Sequence, residues 1–312
     1  MATSGIKCAE FGRENAYELK VHDFEYRVDE KAGPMLARIY QPQGEGPFAL
    51  IVDIHGGAWH GSGPGFGLDR NWVMARNLAA RGAVLASLDF RTGKSAPFPA
   101  DLQDINCAIR MLKANADKFN IQNKIVGAFG SSSGAQEVLL AAMLPDRADF
   151  TKFKLPSDDA IDASLDFVIA SCPPVNLLTH LKNLEGEYHR LLAQTVAFFG
   201  SNPETASPYH ILTSGGATKL PPLLVLHGSE DKACPFEEAM GFVREYVNRG
   251  GNPEMFCVRE GHLWYVPRLA PDSEVLWNGH AAVVAFIQRQ IERKRHPYEP
   301  IDRGYKDMVW DF

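Results

Sequence analysis

Residues 125–144 read IVGAFGSSSGAQEVLLAAML, a glycine- and serine-rich turn between two apolar runs. The first five residues have the length and continuous apolarity of a strand covered on both faces, and the last ten form a helical pattern. Gly130 and Gly134 lie two residues before and two residues after Ser132, so the backbone can fold tightly around that serine. The stretch therefore predicts a strand, a sharp turn that exposes Ser132, and a helix. The alternative is a loop of small residues that only caps the helix.

Short apolar runs of the same kind recur along the chain and alternate with helical patterns. They lie at residues 48–54, 83–90, 166–171, 223–227 and 255–258. Apolar residues from Leu102 to Phe119 recur at a spacing of 3-4-3-4-3, which predicts a helix that begins near Asp101. This alternation predicts a doubly wound, mostly parallel α/β sheet, preceded by antiparallel strands at residues 19–28 and 36–40.

Two segments interrupt the alternation. Residues 1–18 precede the first predicted strand, and residues 176–218 hold two helical patches between two predicted strands. An insertion at the second place would lie above the carboxyl ends of the strands, where ligands bind in open α/β sheets. We therefore predict one α/β catalytic domain over residues 1–312, with lid elements at about 1–18 and 176–218. An ordinary crossover with two helices is the alternative for the second segment.

The composition argues against several classes of protein. Of the 312 residues, 45% are hydrophobic and 22% are charged, which is typical of a folded chain. A net charge of −6 without a long basic run argues against a nucleic-acid or anionic-membrane partner. No apolar run approaches the ~20 residues of a membrane span, and the N-terminus has no signal-peptide core. The five cysteines form no CxxC pair, which predicts reduced thiols in a cytoplasmic protein without a zinc site.

A serine hydroxyl is a weak nucleophile and needs a basic histidine, which an acidic residue in turn orients. Glu230 and Asp231 follow one predicted strand, and His262 follows the next. Because the carboxyl ends of parallel strands share one edge of a sheet, we expect these side chains to converge on Ser132. Other assignments stay open at this point. Glu230 could replace Asp231 as the acid, and His227 or His280 could replace His262 as the base.

A glycine-rich turn, HGGAW at residues 55–59, follows the predicted strand at 48–54. Acyl transfer needs backbone N–H groups aimed at the oxygen that becomes negatively charged, and glycines let such groups face a ligand without obstruction. The alternative is a phosphate-binding loop, but no Lys-Ser/Thr pair follows and GxGxxG is absent from this turn. A second glycine-rich run at residues 61–67 is predicted to be a loop near the mouth of the site.

Together these motifs resemble those of the α/β-hydrolase superfamily, and within it those of the hormone-sensitive-lipase-like carboxylesterases and the bacterial feruloyl and acetyl esterases. The resemblance covers roughly residues 35–292. It rests on HGGAW at 55–59, APFPADLQD at 96–104, GSSSG at 130–134, HGSED at 227–231 and GH at 261–262. Pro235, four residues after Asp231, matches the acid loop of these families and favours Asp231 over Glu230.

The resemblance implies a role for each motif and no metal or organic cofactor. Ser132 would be the nucleophile, His262 the general base and then acid, and Asp231 the residue that orients it. The oxyanion donors would be the backbone N–H groups of Gly57, Ala58 and Ser133.

The sequence departs from the family pattern at two places. Ala135-Gln136-Glu137 follows the turn, where relatives usually have Gly and then His or a small residue. Ala58 stands where many members have a third glycine, and its methyl group would narrow the acyl pocket.

These motifs predict a serine carboxylesterase that hydrolyses a small ester with a short acyl or aryl group. Three aromatic residues near the catalytic loops, Trp59, Phe66 and Trp264, are predicted to contact the substrate, or alternatively only to pack against the lid. Because HGG followed by an aromatic residue also occurs in arylformamidases, a formamide hydrolase is the first alternative, and a non-catalytic ligand-binding protein is a more remote one. The predicted partner is the small-molecule ester, and the oligomeric state stays open, with a homodimer among the choices.

Overall fold

The computed structural model describes residues 5–60, 65–155, 160–184, 189–262, 264–266 and 271–297. In this part of the chain eight strands form one sheet in the order β1-β2-β4-β3-β5-β6-β7-β8. The strands are β1 (Leu19–Asp29), β2 (Gly33–Pro42), β3 (Phe48–Ile54), β4 (Ala83–Leu88), β5 (Ile121–Ser131), β6 (Phe167–Ser171), β7 (Leu223–Gly228) and β8 (Pro253–Val258). Strands β3 to β8 run parallel, while β2 is antiparallel to both β1 and β4. The predicted mostly parallel sheet with leading antiparallel strands is therefore confirmed.

Helices cover both faces of the sheet. They are α1 (Trp72–Ala80), α2 (Ala100–Ala114), α3 (Ala116–Phe119), α4 (Ser133–Met143), α5 (Leu177–Leu184), α6 (His189–Phe199), α7 (Pro208–Thr213), α8 (Phe236–Asn248) and α9 (Glu274–Arg295), with a 3₁₀ turn at Pro203–Ala206. Among the helices of the described residues, none combines the length and the apolarity needed to span a membrane.

The burial of β3 explains its unbroken apolar sequence. All seven of its residues are buried. Leu50 and Val52 pack on the face that α2 and α4 cover, whereas Ala49 and Ile51 pack on the face that α1 and α9 cover. Because successive side chains of a strand point to opposite faces, both sets must be apolar.

Some bounds differ from those predicted. The strand predicted at 83–90 ends at Leu88, and the carboxylate of Asp89 beyond it accepts a hydrogen bond from the backbone N–H of Gly65 at 2.6 Å. β5 begins earlier than predicted, because its first residues already pair with β3. The apolar spacing that predicted one helix from about Asp101 is divided between two helices, α2 and the short α3 that follows it.

Residues 5–18 lie along the amino edge of the sheet. The backbone N–H of Ala9 donates to the carbonyl of Pro47, just before β3 begins, at 2.8 Å. The side chain of Phe11 is buried in the core that α1 and α9 cover. These residues therefore lie at the edge opposite to the carboxyl ends, rather than above them as a lid element at about 1–18 would.

The segment between β6 and β7 lies at the carboxyl edge of the sheet. Trp59, in the loop after β3, packs edge-on against Phe199 of α6 with ring centroids 4.8 Å apart. The backbone N–H of Phe98 donates to the carbonyl of Phe198 at 3.0 Å. This is the position predicted for the insertion at 176–218, and opening of the segment as a lid stays a prediction.

Two glycine-to-alanine substitutions should have opposite effects on stability. A Cβ atom on Gly127 of β5 would collide with the ring of Phe167, whereas one on Gly241 of α8 would meet nothing within 4 Å. We expect Gly127→Ala to lower the free energy of unfolding by about 1–3 kcal/mol and Gly241→Ala to raise it by up to ~1 kcal/mol. Urea unfolding of both variants checks this, and equal effects would contradict the described packing.

Candidate active site

Three side chains meet at the carboxyl edge in one hydrogen-bonded chain. Ser132 lies between β5 and α4, Asp231 in the loop after β7, and His262 in the loop after β8. Oγ of Ser132 lies 2.8 Å from Nε2 of His262, and Nδ1 of His262 lies 2.7 Å from Oδ2 of Asp231. A carboxylate can only accept a hydrogen bond, so Nδ1 carries the ring proton. Nε2 is then free to accept the hydrogen of the serine hydroxyl.

The turn at Ser132 needs the two glycines that flank it. Ser132 is half-buried and has φ +53° and ψ −122°, a conformation that residues with a side chain rarely adopt. A Cβ atom on Gly130 would collide with the backbone of Gly134, and one on Gly134 would collide with the backbone carbonyl of Ile54. The sharp turn predicted from the sequence is therefore present.

Asp231 is a buried carboxylate whose oxygens are all engaged. Its Oδ1 accepts hydrogen bonds from the backbone N–H groups of Ala233 at 2.9 Å and Cys234 at 2.8 Å, while Oδ2 accepts from His262. Burial by itself would raise the pKa of Asp231, but the hydrogen bonds from His262 and Cys234 and the charge of His262 lower it below its ordinary value. The carboxylate is therefore ionised at neutral pH.

The alternative acid and bases have other partners. Glu230 is exposed and binds Arg259 at 2.7 Å. His227 is fully buried, and its Nε2 lies 2.8 Å from the carbonyl of Cys234. The ring of His280 lies between Tyr265 (2.9 Å) and Asn77 (2.6 Å). Among the three histidines considered, His262 is the one that contacts Ser132.

Cys172 adjoins the acid and was not predicted as part of the site. It follows β6 with φ +49°, and its Sγ, a carboxylate oxygen of Asp231 and a ring nitrogen of His262 lie within 4.8 Å of one another. Burial, and then the charge of Asp231, raise the pKa of this thiol, so it stays protonated. The sequence around Cys172 contains no motif that would have predicted its position beside Asp231.

The loop after β3 contacts the turn that holds the serine. Gly57, Ala58 and Trp59 all have positive φ (+152°, +54° and +55°), which turns the chain sharply. A Cβ atom on Gly56 would lie 3.1 Å from Cβ of Ser132, so the two loops are in close contact. The N–H of Ser133 is the first of α4 and has no partner within that helix.

Gln136, one of the departures from the family pattern, links two parts of the site. Its side chain is fully buried; Oε1 accepts from Nε1–H of Trp59 at 2.9 Å, and Nε2 donates to the carbonyl of Ala206 at 2.7 Å. The amide thus joins the loop at residues 55–59 to the segment between β6 and β7. The identity of Gln136 departs from the family pattern, but its partners Trp59 and Ala206 lie 77 and 70 residues away and leave no local signal in the sequence.

The other departure, Glu137, forms a buried acidic pair with Asp101 at the start of α2. Both side chains are buried in the protein. Burial raises the pKa of Asp101 to about 7, and burial together with the charge of Asp101 raises the pKa of Glu137 well above its ordinary value. The folded protein therefore binds protons at this pair that the unfolded chain releases.

The three aromatic residues predicted to contact substrate lie in different surroundings. Trp59 is buried against α5 and α6. Phe66 is 37% exposed, and a Cβ atom on Gly57 would lie 3.6 Å from its ring, so it lies over the loop at residues 55–59. Trp264 is buried in the core with Phe256 and Tyr265. Phe66 is therefore the one of the three whose exposed ring borders the loops around Ser132.

Comparison with protein families matches residues 38–245 of the chain to BD-FAE. Two curated relatives come from Mycobacterium tuberculosis. Esterase LipC is 28% identical over 203 residues, which cover 63% of this chain and 48% of LipC. The probable carboxylic ester hydrolase LipM is 24% identical over 216 residues, 68% of this chain and 48% of LipM. The match thus spans about half the length of these relatives.

Solved structures resemble the whole fold. A propionate-bound esterase from Thermogutta terrifontis has a TM-score of 0.67 and 22% identity, over 88% of this chain and 94% of that one. A truncated carbohydrate esterase from gut microbiota has the same TM-score and 19% identity, over 91% of this chain and all of that one. At this identity the likeness establishes the fold, which is that of the α/β-hydrolases.

Breaking the Gln136 link should destabilise the protein. Gln136→Met leaves the Trp59 N–H and the Ala206 carbonyl buried without partners, so we expect a loss of about 1–3 kcal/mol in the free energy of unfolding. Gln103→Met is the matched control, because that side chain bonds Asp149 at the surface, and its effect should stay within ~0.5 kcal/mol. Urea unfolding measures both, and equal losses would contradict the role of the buried amide.

The acidic pair should make stability fall as pH rises. Because the folded pKa of Asp101 is raised to about 7 from 3.8, the native state holds more protons than the unfolded chain between these pH values. The advantage of the wild type over Glu137→Gln in melting temperature should therefore shrink from pH 5 to pH 8, a comparison in which the opposite contribution of the buried histidines cancels. Thermal unfolding across this range tests it, and parallel profiles would contradict the pairing.

Proposed function

The chain belongs to the BD-FAE family, and we propose that it is a serine carboxylesterase that hydrolyses small esters with a short acyl or aryl group. The observation that carries the proposal is the hydrogen-bonded chain from Ser132 through His262 to the ionised Asp231. A neutral histidine with its proton held at Nδ1 is the form that can take the proton of a serine hydroxyl. The names of the two mycobacterial relatives, an esterase and a probable carboxylic ester hydrolase, agree with this chemistry.

In the proposed reaction Oγ of Ser132 attacks the ester carbonyl while Nε2 of His262 takes its proton. The tetrahedral intermediate collapses, His262 gives the proton to the leaving alcohol oxygen, and the acyl group stays on Ser132 as an ester. Water then attacks this acyl-enzyme while Nε2 of His262 takes a proton from it, and His262 returns that proton to Oγ of Ser132 as the carboxylic acid leaves. Asp231 stabilises the imidazolium in both halves and is not itself protonated.

The proposed oxyanion donors are the backbone N–H groups of Gly57, Ala58 and Ser133. They come from the two loops that are in contact at Ser132, which is the arrangement that stabilisation of a tetrahedral oxyanion needs. We assign Phe66 to the substrate site because its ring is exposed over Gly57. The roles of Trp59 and Trp264 in substrate contact, the lid motion of residues 176–218 and a cytoplasmic location remain proposals made from the sequence.

Replacing the nucleophile should abolish turnover. We expect Ser132→Ala to lower kcat on p-nitrophenyl acetate and butyrate on the order of 10⁴-fold or more, because the acyl-enzyme cannot form. Ser131→Ala, one residue earlier, is the matched control and should keep its activity. Activity of Ser132→Ala above about a thousandth of the wild type would overturn the assignment.

Related structures suggest a second test of the same serine. The Thermogutta terrifontis esterase 2 has been described phosphorylated by paraoxon and phosphonylated by sarin. We expect paraoxon to add one phosphoryl group to this chain, detected by intact-mass spectrometry, and none to Ser132→Ala. No reaction of the wild type would favour a non-catalytic binding protein.

The same assay distinguishes an esterase from the alternative, a formamide hydrolase. N-Formylkynurenine, p-nitrophenyl octanoate and the two shorter esters are compared for the wild type. Turnover of the formamide far above that of every ester would replace the esterase proposal, and a decline from acetate to octanoate would support the short acyl pocket.

A further inference from the structure

Tyr265 lies between the loop of the proposed base and the strand of the proposed nucleophile. It follows His262 by three residues, and its side chain is buried. Its ring packs against that of Phe129 in β5, with centroids 6.0 Å apart. Phe129 precedes Ser132 by three residues. One buried ring therefore contacts the strand of the serine and belongs to the loop of the histidine.

The hydroxyl group of Tyr265 begins a hydrogen-bonded chain that reaches two helices. Its oxygen lies 2.9 Å from Nδ1 of His280 in α9, and Nε2 of His280 lies 2.6 Å from Oδ1 of Asn77 in α1. Nε of Arg81 donates to the same Oδ1 at 2.9 Å. Because an arginine nitrogen can only donate, this atom of Asn77 is the amide oxygen, and His280 must donate to it from Nε2.

The neutral form of His280 gives the chain one direction. Burial, and then the positive charge of Arg81, lower the pKa of His280 to about 4, so at pH 7 its ring is neutral and carries its one proton on Nε2. Nδ1 is then a lone-pair acceptor, and the hydroxyl of Tyr265 donates to it. The hydroxyl is therefore held by partners whose donor and acceptor roles are fixed.

The same helix also receives the neighbouring residue of the loop. A Cβ atom on Gly279 of α9 would lie 2.6 Å from the ring of Trp264 and 3.5 Å from that of Tyr265, so both rings lie against the helix backbone at this glycine. On the other side of the base, the backbone carbonyl of Glu260 accepts from the N–H of Glu230 at 3.0 Å. The loop is therefore attached to the rest of the protein on both sides of the base.

We propose that Tyr265 is a positioning residue that keeps Nε2 of His262 at hydrogen-bond distance from Oγ of Ser132. His280 and Asn77 hold it in place for this role. The two reacting atoms lie 2.8 Å apart, and proton transfer requires this kind of distance. This inference rests on the proposed esterase function. It gives the histidine that does not contact the serine a role in placing the one that does.

Tyr265→Phe removes only the hydroxyl group and tests the proposal. The ring keeps its packing, but the loop loses its hydrogen bond to α9. Both halves of the reaction use the same base, so we expect kcat on p-nitrophenyl acetate to fall on the order of tenfold, with KM within about twofold of the wild type. A wild-type kcat in Tyr265→Phe would overturn the proposal.

Variants of His280 separate positioning from a general loss of stability. The amide of His280→Gln can accept from Tyr265 and donate to Asn77, so this variant should restore most of kcat, whereas His280→Leu can do neither and should match Tyr265→Phe. Val283→Ala is the matched control, because Val283 is buried in the same helix and takes no part in the chain. It should keep the wild-type kcat at a temperature where it is folded. Equal losses of kcat in Val283→Ala and Tyr265→Phe would overturn the proposal.

The double variant Tyr265→Phe/His280→Leu adds a further check. Both substitutions break the same hydrogen-bonded chain, so together they should lower kcat no more than either does alone. Losses that multiply would contradict a single chain.

The design also separates this inference from the proposed function. If the wild type hydrolyses p-nitrophenyl acetate but Tyr265→Phe and His280→Leu keep its kcat, only the positioning role fails. If the wild type hydrolyses no ester and does not react with paraoxon, the esterase proposal fails, and this inference fails with it.

Discussion

The hydrogen bond between Asp231 and Nδ1 of His262 is the interaction on which the rest of the site depends. It holds the ring proton on the side away from Ser132 and leaves Nε2 as the acceptor that faces the hydroxyl. A buried carboxylate can do this only while it stays ionised, and the backbone N–H groups of Ala233 and Cys234 stabilise its charge. The shape of the loop after β7 therefore determines which ring nitrogen of a histidine in the loop after β8 donates to the carboxylate.

The parallel sheet brings these loops together, and buried polar side chains keep them in place. Strands β5, β7 and β8 end at one edge, so residues 130 positions apart in the chain come within hydrogen-bond distance. Gln136 then joins the loop at residues 55–59 to the segment between β6 and β7, and His180 joins that segment to the loop that holds Asp231. Because an unpaired buried polar group is costly, each of these links restricts how the loops can lie relative to one another.

Features of the fold that depend on neighbouring residues were predictable from the sequence. The turn at Ser132 was predictable because two glycines at fixed offsets permit a backbone that other residues would block. The strands were predictable because burial on both faces excludes polar residues. The position of residues 5–18 was not, since it depends on the burial of Phe11 in a core formed by distant helices. The chemistry of their side chains also did not distinguish Glu230 from Asp231 as the acid. The structure distinguishes them, because Asp231 is buried and Glu230 pairs with Arg259 at the surface.

The sequence by itself determined the order of strands and helices, the backbone shape at the serine turn and the residue types available at each strand end. These properties follow from local sterics and from the pattern of apolar residues. Only the tertiary structure decided that His262 is the histidine that reaches Ser132, that Cys172 lies beside Asp231 and that Gln136 bonds Trp59. Such contacts join residues far apart in the chain, and their distances depend on how the whole sheet and its helices pack.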